Sequence, residues 1–356
     1  MNSRKRALTS IGHEEPDRVP LDLPYTIKRS FFSKLERKIG LKSLDEIARK
    51  FGVDFRHVSM EPSGKFKEDA SFDFERGWIR WLSADTFEDE WGIKRTLGST
   101  GEFARFVYHP LADWESVDEY DFPDVEAGGR FDKAERDVEL WKDDYVLTGM
   151  MQMTLFEQAW YLRGFTRFVS DLYRNEGFAN KLLDRLLKFR LEEGTRYAEL
   201  GVDVVCLGDD IGTQTGLLFS MGMWRKYLKE RMRTLIHALK LRGCIISYHS
   251  DGVVEPLLKD LIEIGVDMID PVQPECNNLE RIKSTYGRRL VLHGTISHQR
   301  IMPYGTEEDV VNMVRDRIDR LGEGGGLIIA PYDLTPDIPV ENLLSLYKAV
   351  QTYGTY

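Results

Sequence analysis

Apolar residues along the chain fall into short continuous runs that alternate with amphipathic segments. From about residue 145 onward, six such runs are separated by stretches in which apolar residues recur every three or four positions. Continuous runs predict parallel strands buried on both faces, and the amphipathic stretches predict the helices that cover them. The six runs are 145–150, 202–208, 244–249, 266–272, 289–295 and 326–331.

Two of the amphipathic stretches carry clear helix boundaries. Residues 254–264 place their apolar side chains on one helical face, and Gly265 follows where a C-terminal cap belongs. Thr306 precedes two acidic residues, Glu307 and Glu308, and so predicts an N-cap followed by an acidic first turn.

Two earlier runs, 18–23 and 52–58, raise the number of predicted strands to eight. Eight strands, most of them followed by a helix, predict a (β/α)8 TIM barrel. An open doubly wound sheet is the alternative, but no Gly-rich phosphate-binding fingerprint follows any strand. The long segment 154–200 predicts two or three helices.

Residues 59–140 interrupt the alternation of strands and helices. The stretch 77–97 is rich in tryptophan and alternates apolar with polar residues, which predicts an antiparallel hairpin, and an acidic loop follows it. We therefore expect a single barrel domain over 1–356 with 59–140 inserted after the second strand.

Composition restricts the class of protein. The net charge is −10, and no run of Lys and Arg forms the basic patch of a nucleic-acid-binding protein. No apolar run approaches the roughly 20 residues of a membrane span, and the three cysteines include no CxxC pair. These features predict a cytoplasmic protein without nucleic-acid or membrane partners. The lack of a phosphate-binding glycine loop predicts no tightly bound organic cofactor.

Polar residues follow nearly every predicted strand, where barrel enzymes collect their reactive groups. We interpret His249, Asp251 and Asp210 as catalytic. His57 and His109 are interpreted as lying outside this ring of side chains. Either Asp209 or Asp210 could instead cap the turn that follows. The residues predicted to contact substrate are Asp22, Tyr25, Gln152, Asp209, Gln273, His293 and Tyr332.

Several segments, in this order, resemble the uroporphyrinogen decarboxylase superfamily. They are the opening "RKRALTSIGHEEPDRVPLDL", then "LFEQAWYLRGF", "GDDIGTQTGLLFS", "HSDG", "DLIEIGVDMIDPVQPE" and "GGGLIIAPYDLTPDIPVENLLSLY". The resemblance covers nearly the whole chain. It implies a (β/α)8 barrel with one cleft at the carboxyl ends of the strands.

The superfamily contains decarboxylases and corrinoid-dependent methyltransferases. Decarboxylases carry an RQAGR segment near the N-terminus, whereas this chain has "PLDLPYTIKRSFF", with Lys28 and Arg29 as the cations. A substrate with many carboxylates needs more cations than these. The resemblance therefore implies transfer of a methyl group between a small ether, amine or thiol and a corrinoid-binding partner protein that carries the cobalamin. A tetrapyrrole decarboxylase and a non-catalytic ligand-binding relative are the alternatives.

Thiol-using methyltransferases of this branch bind zinc through a His-x-Cys after the fifth strand and a Cys after the eighth. This chain keeps the histidine as His249, while Asp251 and Asp333 stand where the cysteines would be. The resemblance thus implies one divalent metal, zinc first, at His249, Asp251 and Asp333. One nitrogen and two hard oxygens also suit Mn or Fe. The alternative is that these side chains hydrogen-bond to the substrate without a metal.

Overall fold

The computed structural model describes residues 1–24, 26–73, 75–98, 101 and 104–356. The strands in chain order are β1 Thr26–Ile27, β2 Phe55–Val58, β3 Ser71–Asp73, β4 Gly77–Trp81, β5 Thr86–Glu88, β6 Lys94–Leu97, β7 Ala104–Tyr108, β8 Val146–Gln152, β9 Val204–Gly208, β10 Ile245–His249, β11 Met268–Asp270, β12 Val291–Gly294, β13 Leu327–Ile329 and β14 Asp333–Leu334. The helices are α1 Ser3–Ile11, α2 Arg29–Ile39, α3 Leu44–Phe51, α4 Gly64–Glu68, α5 Asp132–Trp141, α6 Phe156–Arg163, α7 Phe165–Arg174, α8 Glu176–Leu200, α9 Met221–Trp224, α10 Glu230–Lys240, α11 Leu258–Ile264, α12 Leu279–Tyr286, α13 Ile301–Tyr304, α14 Glu307–Leu321 and α15 Val340–Tyr353.

A curled parallel sheet forms the centre of the molecule. Its seven strands lie in the order β2-β8-β9-β10-β11-β12-β13, so neighbours in the sheet are also successive in the chain apart from the step from β2 to β8. Helices follow these strands, and the strand residues are almost all buried. The predicted TIM-barrel-like α/β fold is confirmed, and each of the seven predicted runs from 52–58 onward overlaps one of these strands.

The segment 18–23 completes the ring between β13 and β2. Leu21 forms a parallel bridge with Ile329, and the Leu21 carbonyl accepts a hydrogen bond of 2.8 Å from the Asp54 amide. The predicted first strand is therefore in the right place, but it is a single bridge rather than a regular strand. Pro20 and Pro24 lack the amide hydrogens that a longer ladder would need.

A buried carboxylate reinforces this closure. Asp54 is 0% exposed, and its Oδ2 accepts a hydrogen bond of 2.9 Å from the Leu21 amide. The guanidinium of Arg6 lies 2.8 Å from Asp54 Oδ1 and that of Arg18 lies 3.0 Å from Oδ2. One side chain thus ties the closing segment, helix α1 and the entry to β2 together.

An antiparallel sheet of five strands, β3-β4-β5-β6-β7, lies in the chain between β2 and β8. The predicted hairpin at 77–97 corresponds to β4, β5 and β6 within this larger sheet. Lys28, next to β1, places its Nζ 3.4 Å from Glu75 Oε1 and so connects the sheet to the barrel. Helix α5 packs against β2. The division into one domain with an insertion at 59–140 stays a prediction.

The predicted helix boundaries agree with the structure. Gly265 follows α11 in the left-handed conformation, with φ of 103°. Thr306 caps α14 in a reciprocal capping box with Asp309. The segment 154–200, for which two or three helices were predicted, contains the three helices α6, α7 and α8. In the part of the chain that the structure describes, no helix is both long and apolar enough to cross a membrane.

Candidate functional site

Three predicted catalytic side chains meet at the carboxyl ends of β9 and β10. One ligand atom from each of Asp210, His249 and Asp251 lies within 4.8 Å of the others. His249 Nε2 is 3.6 Å from Asp210 Oδ1, and the Asp251 amide donates to that same oxygen at 2.8 Å. We refer to these three residues as the His–Asp cluster.

Gly208 allows the two strands to end side by side. Its φ is 146°, and a Cβ built there would lie 2.2 Å from the carbonyl oxygen of His249. Any other residue would therefore separate the ends of β9 and β10. The backbone of the cluster is fixed by this close approach.

Two predicted substrate-contacting residues hold Asp251 in place. Tyr332 donates its hydroxyl to Asp251 Oδ2 at 2.9 Å, and Gln273 Nε2 donates to Oδ1 at 3.3 Å. Gln273 is itself oriented by the Gly252 amide, which donates to Gln273 Oε1 at 2.9 Å. The Tyr332 ring also stacks on His249, with centroids 5.7 Å apart. Both residues thus support the His–Asp cluster directly.

The structure groups a different aspartate with His249 and Asp251 from the one predicted. Among the described residues, Asp210 rather than Asp333 joins His249 and Asp251 in a group able to hold a metal ion. Asp333 lies in β14 and pairs with Thr26 of β1. The charge of Asp333 nevertheless acts on the cluster, since it is, after burial, among the causes that raise the pKa of Asp251. Asp210 therefore joins the candidate ligands, and Asp333 as a ligand stays a prediction.

Behind the cluster runs a buried chain of alternating imidazoles and carboxylates. His249 Nδ1 lies 3.2 Å from Asp270 Oδ2, and Asp270 Oδ1 accepts from His293 Nδ1. His293 Nε2 lies 3.0 Å from Asp22 Oδ2, and Asp22 Oδ1 lies 3.3 Å from His57 Nε2. We call these five residues the imidazole–carboxylate chain. Two predicted substrate contacts, Asp22 and His293, are thus engaged with other protein side chains.

The interpretation of His57 as lying outside the ring was wrong. His57 is the penultimate residue of β2, and its ring reaches Asp22 across the closing segment. The signal was present in the sequence, because 52–58 was already a predicted strand.

The two adjacent aspartates after β9 have different surroundings. Asp209 is 0% exposed, and its carboxylate accepts hydrogen bonds from the amides of Leu155 at 3.0 Å and Glu157 at 2.9 Å. It therefore caps the N-terminus of α6, the helix after β8, whereas the alternative predicted from the sequence was a cap of the turn that follows the two aspartates. Gln152 ends β8 opposite Gly208 and is half-buried. Tyr25 lies outside the described residues.

Glu157 is a buried acid that sequence reasoning missed. Its Oε2 accepts a hydrogen bond of 2.9 Å from the Asp210 amide, and its Oε1 accepts one of 3.0 Å from the Tyr161 hydroxyl. Burial, followed by the negative charges of Asp210 and Asp209, raises the pKa of Glu157 to about 8. Its signal was its place in the first turn of the helix after the third predicted strand.

The pKa values of His249 and Asp251 both lie above their usual values. Burial lowers the pKa of His249, but the hydrogen bond with Asp270 and the charge of Asp210 outweigh it and raise that pKa to about 9. Burial raises the pKa of Asp251 to about 7. The charge of His249 lowers this pKa, but the negative charge of Asp210 raises it further, so the effect of burial prevails. Both groups can therefore hold protons near neutrality.

We expect the metal-free protein to become less stable as pH rises. The folded pKa values of Asp251, Glu157 and His249 all lie above their usual values, so the folded state binds more protons and the slope of stability with pH is negative. The carboxyl contributions are lost as pH rises through about 7 and 8, and the imidazole contribution as it rises through about 9. The urea concentration at the midpoint of unfolding should therefore decrease as the pH is raised from about 6 to about 9.

Glu157→Gln is the matched variant for this measurement. Glutamine keeps the shape of the protonated acid and cannot ionise, so the midpoint should fall less steeply with pH. A midpoint that rises or stays constant over the same range in the parent protein would contradict the assignment.

The family follows from comparison of the chain with known proteins. The family model for uroporphyrinogen decarboxylase (URO-D) matches residues 91–353. The match extends from the antiparallel sheet to the last helix and includes the His–Asp cluster. The chain therefore belongs to the uroporphyrinogen decarboxylase family. No curated protein matches it.

A solved methyltransferase structure shares this fold. A methyltransferase from Methanosarcina mazei superposes with a TM-score of 0.70 at 16% identity, and the match covers 99% of both chains. A sugar phosphate isomerase/epimerase from Parabacteroides distasonis has a TM-score of 0.44 at 10% identity, covering 94% of this chain and 95% of that one. At these identities the likeness to the methyltransferase establishes the shared fold.

Proposed function

We propose that this protein is a methyltransferase that moves a methyl group between a small substrate and a corrinoid carried by a separate protein. The observation that carries the proposal is the His–Asp cluster at the carboxyl ends of β9 and β10, in a barrel of the uroporphyrinogen decarboxylase family. The fold shared with a methyltransferase over 99% of both chains supports it.

The donor atoms of the cluster fit a divalent metal ion. One imidazole nitrogen and two carboxylates, all within 4.8 Å of one another, are ligands that zinc, manganese and iron accept. Three protein ligands leave a further position open, as in catalytic rather than structural zinc sites. Bound there, the metal would act as a Lewis acid on the oxygen, nitrogen or sulfur atom that carries the methyl group.

The side chains around the cluster prepare it for such a substrate. Asp270 accepts from His249 Nδ1, so His249 turns its Nε2 toward Asp210 and Tyr332. Tyr332 and Gln273 fix the carboxylate of Asp251. Asp251, whose pKa is raised to about 7 by burial, and His249 can also hold a proton for the group that departs when the methyl is lost.

The charges at the barrel face favour methyl transfer over decarboxylation of a tetrapyrrole. Lys28 lies 3.4 Å from Glu75, and Arg29 is exposed at the start of α2. A uroporphyrinogen-like substrate needs several cations to pair with its carboxylates, and of these two one is already paired and the other faces solvent. A neutral methyl donor needs no such pairing.

The proposal is tested by following the oxidation of a corrinoid. Purified protein with zinc is mixed with free cob(I)alamin and, in parallel, with a methyl ether, a methylamine or a methyl thioether. We expect one donor class to consume the cob(I)alamin absorbance at a rate that depends on both protein and zinc, as the methyl group passes to cobalt and the donor leaves with the bonding pair of electrons.

Heat-denatured protein is the control, because it supplies the same zinc without the site. The proposal fails if no donor consumes cob(I)alamin while the same preparation releases carbon dioxide from a carboxylated tetrapyrrole.

A further inference from the structure

His293 lies between two carboxylates in the interior of the barrel. Its Nδ1 contacts Asp270 Oδ1, and its Nε2 lies 3.0 Å from Asp22 Oδ2. His293 is 2% exposed, Asp22 4% and Asp270 1%. Water therefore has little access to any of the three polar groups, and they must satisfy one another.

Hydrogen-bond chemistry sets the charge of this histidine. An ionised carboxylate only accepts hydrogen bonds, and a neutral imidazole donates through one nitrogen alone. Two contacts with carboxylates at opposite ends of one ring therefore require both nitrogens to carry a hydrogen. His293 meets this requirement only as an imidazolium.

The neighbouring groups support ionised carboxylates at both ends. Asp22 faces a second imidazole, His57 on β2, and Asp270 faces His249 on β10. Burial raises the pKa of each carboxyl, but the facing histidines outweigh it and hold both pKa values below the usual range. The two carboxylates in turn outweigh burial and raise the pKa of His293 to about 10.

We propose that His293 is a permanently charged positioning residue for the His–Asp cluster. Its contact holds the Asp270 carboxylate in place, so Asp270 accepts from His249 Nδ1 and directs Nε2 of His249 toward Asp210. A metal-ligating histidine commonly has its second nitrogen fixed in this way by a carboxylate. This inference deepens the proposed function, since the Nε2 that it orients belongs to the proposed metal site.

Removing the cation should loosen the carboxylate that holds His249. In His293→Gln, a neutral amide stands between Asp22 and Asp270 and no longer forms an ion pair with either carboxylate. Asp270 is then less firmly held against His249 Nδ1, and the direction of His249 Nε2 is less fixed. His57→Gln is the matched control, because His57 contacts Asp22 at the other end of the chain.

The charge of His293 can be measured on the metal-free protein by NMR with ¹⁵N-labelled histidine at a pH one unit above the ordinary histidine value of about 6.5. We expect both His293 nitrogens at imidazolium shifts. Zinc affinity, measured by competition with a chelating dye, should fall roughly 10–100-fold in His293→Gln and fall less in His57→Gln, which leaves the contact between His293 and Asp270 in place.

An unprotonated ring nitrogen on His293 in the parent protein overturns the inference, even if His293→Gln fails to fold. An equal loss of zinc affinity in the two variants does so as well, because it would indicate a general structural effect. A parent protein that shows the imidazolium but binds no zinc contradicts the proposed metal site and leaves the charge of His293 established.

Discussion

Replacing His249 with alanine should abolish methyl transfer to cob(I)alamin. The change removes the nitrogen ligand of the His–Asp cluster, and we expect zinc affinity to fall by more than ~100-fold, since loss of a supporting partner alone costs 10–100-fold. His249 is the last residue of β10, so the fold should survive. Far-ultraviolet circular dichroism, zinc titration and the cob(I)alamin assay measure the three effects.

His237→Ala is the control for this experiment. His237 is exposed on α10, so its loss should change neither zinc affinity nor turnover. Full methyl-transfer activity in His249→Ala would show that the reaction takes place elsewhere in the protein.

Replacing Asp54 with alanine should produce the largest loss of stability. Asp54 is 0% exposed and accepts from the Leu21 amide while it faces Arg6 and Arg18. Removing one partner of a buried ion pair typically costs about 3–5 kcal/mol, because the remaining charges keep their desolvation penalty. Urea unfolding of the metal-free protein measures the change in free energy.

Asp54→Asn separates the hydrogen bond from the charge. Asparagine still accepts from the Leu21 amide but no longer neutralises the two arginines, so we expect an intermediate loss of stability. A change of less than ~1 kcal/mol in Asp54→Ala, the size of an exposed ion pair, would show that the closing segment does not depend on this carboxylate.

The barrel could be predicted because each of its buried strands leaves a strong local pattern. Runs such as 202–208 and 244–249 are mostly apolar without alternation, and they contain β9 and β10. The antiparallel sheet was harder to predict beyond its central strands. The residues of β7 are mostly exposed, so no buried face marks that strand in the sequence.

The site could be predicted as a group of residues but not as a geometry. Knowing that strands end at 208 and 249 places Asp210, His249 and Asp251 at the same face of a barrel. The direction of each side chain depends on the turn that follows the strand. The turn after β9 brings Asp210 beside His249, and the segment after β13 leads Asp333 into its pairing with β1. The extent of the imidazole–carboxylate chain depends on His57 and the closing segment, which lie far apart from His249 in sequence.

The split between Asp209 and Asp210 has a consequence for how relatives should be aligned. Asp209 caps α6 and Asp210 faces His249, so the two belong in separate alignment columns although they are identical neighbours. A relative that lacks the aspartate at 209 has lost a helix cap, whereas one that lacks it at 210 has lost part of the proposed metal site. An alignment shifted by one residue here would mistake the loss of the helix cap for the loss of the metal-site aspartate, and the relative would be assigned the wrong chemistry.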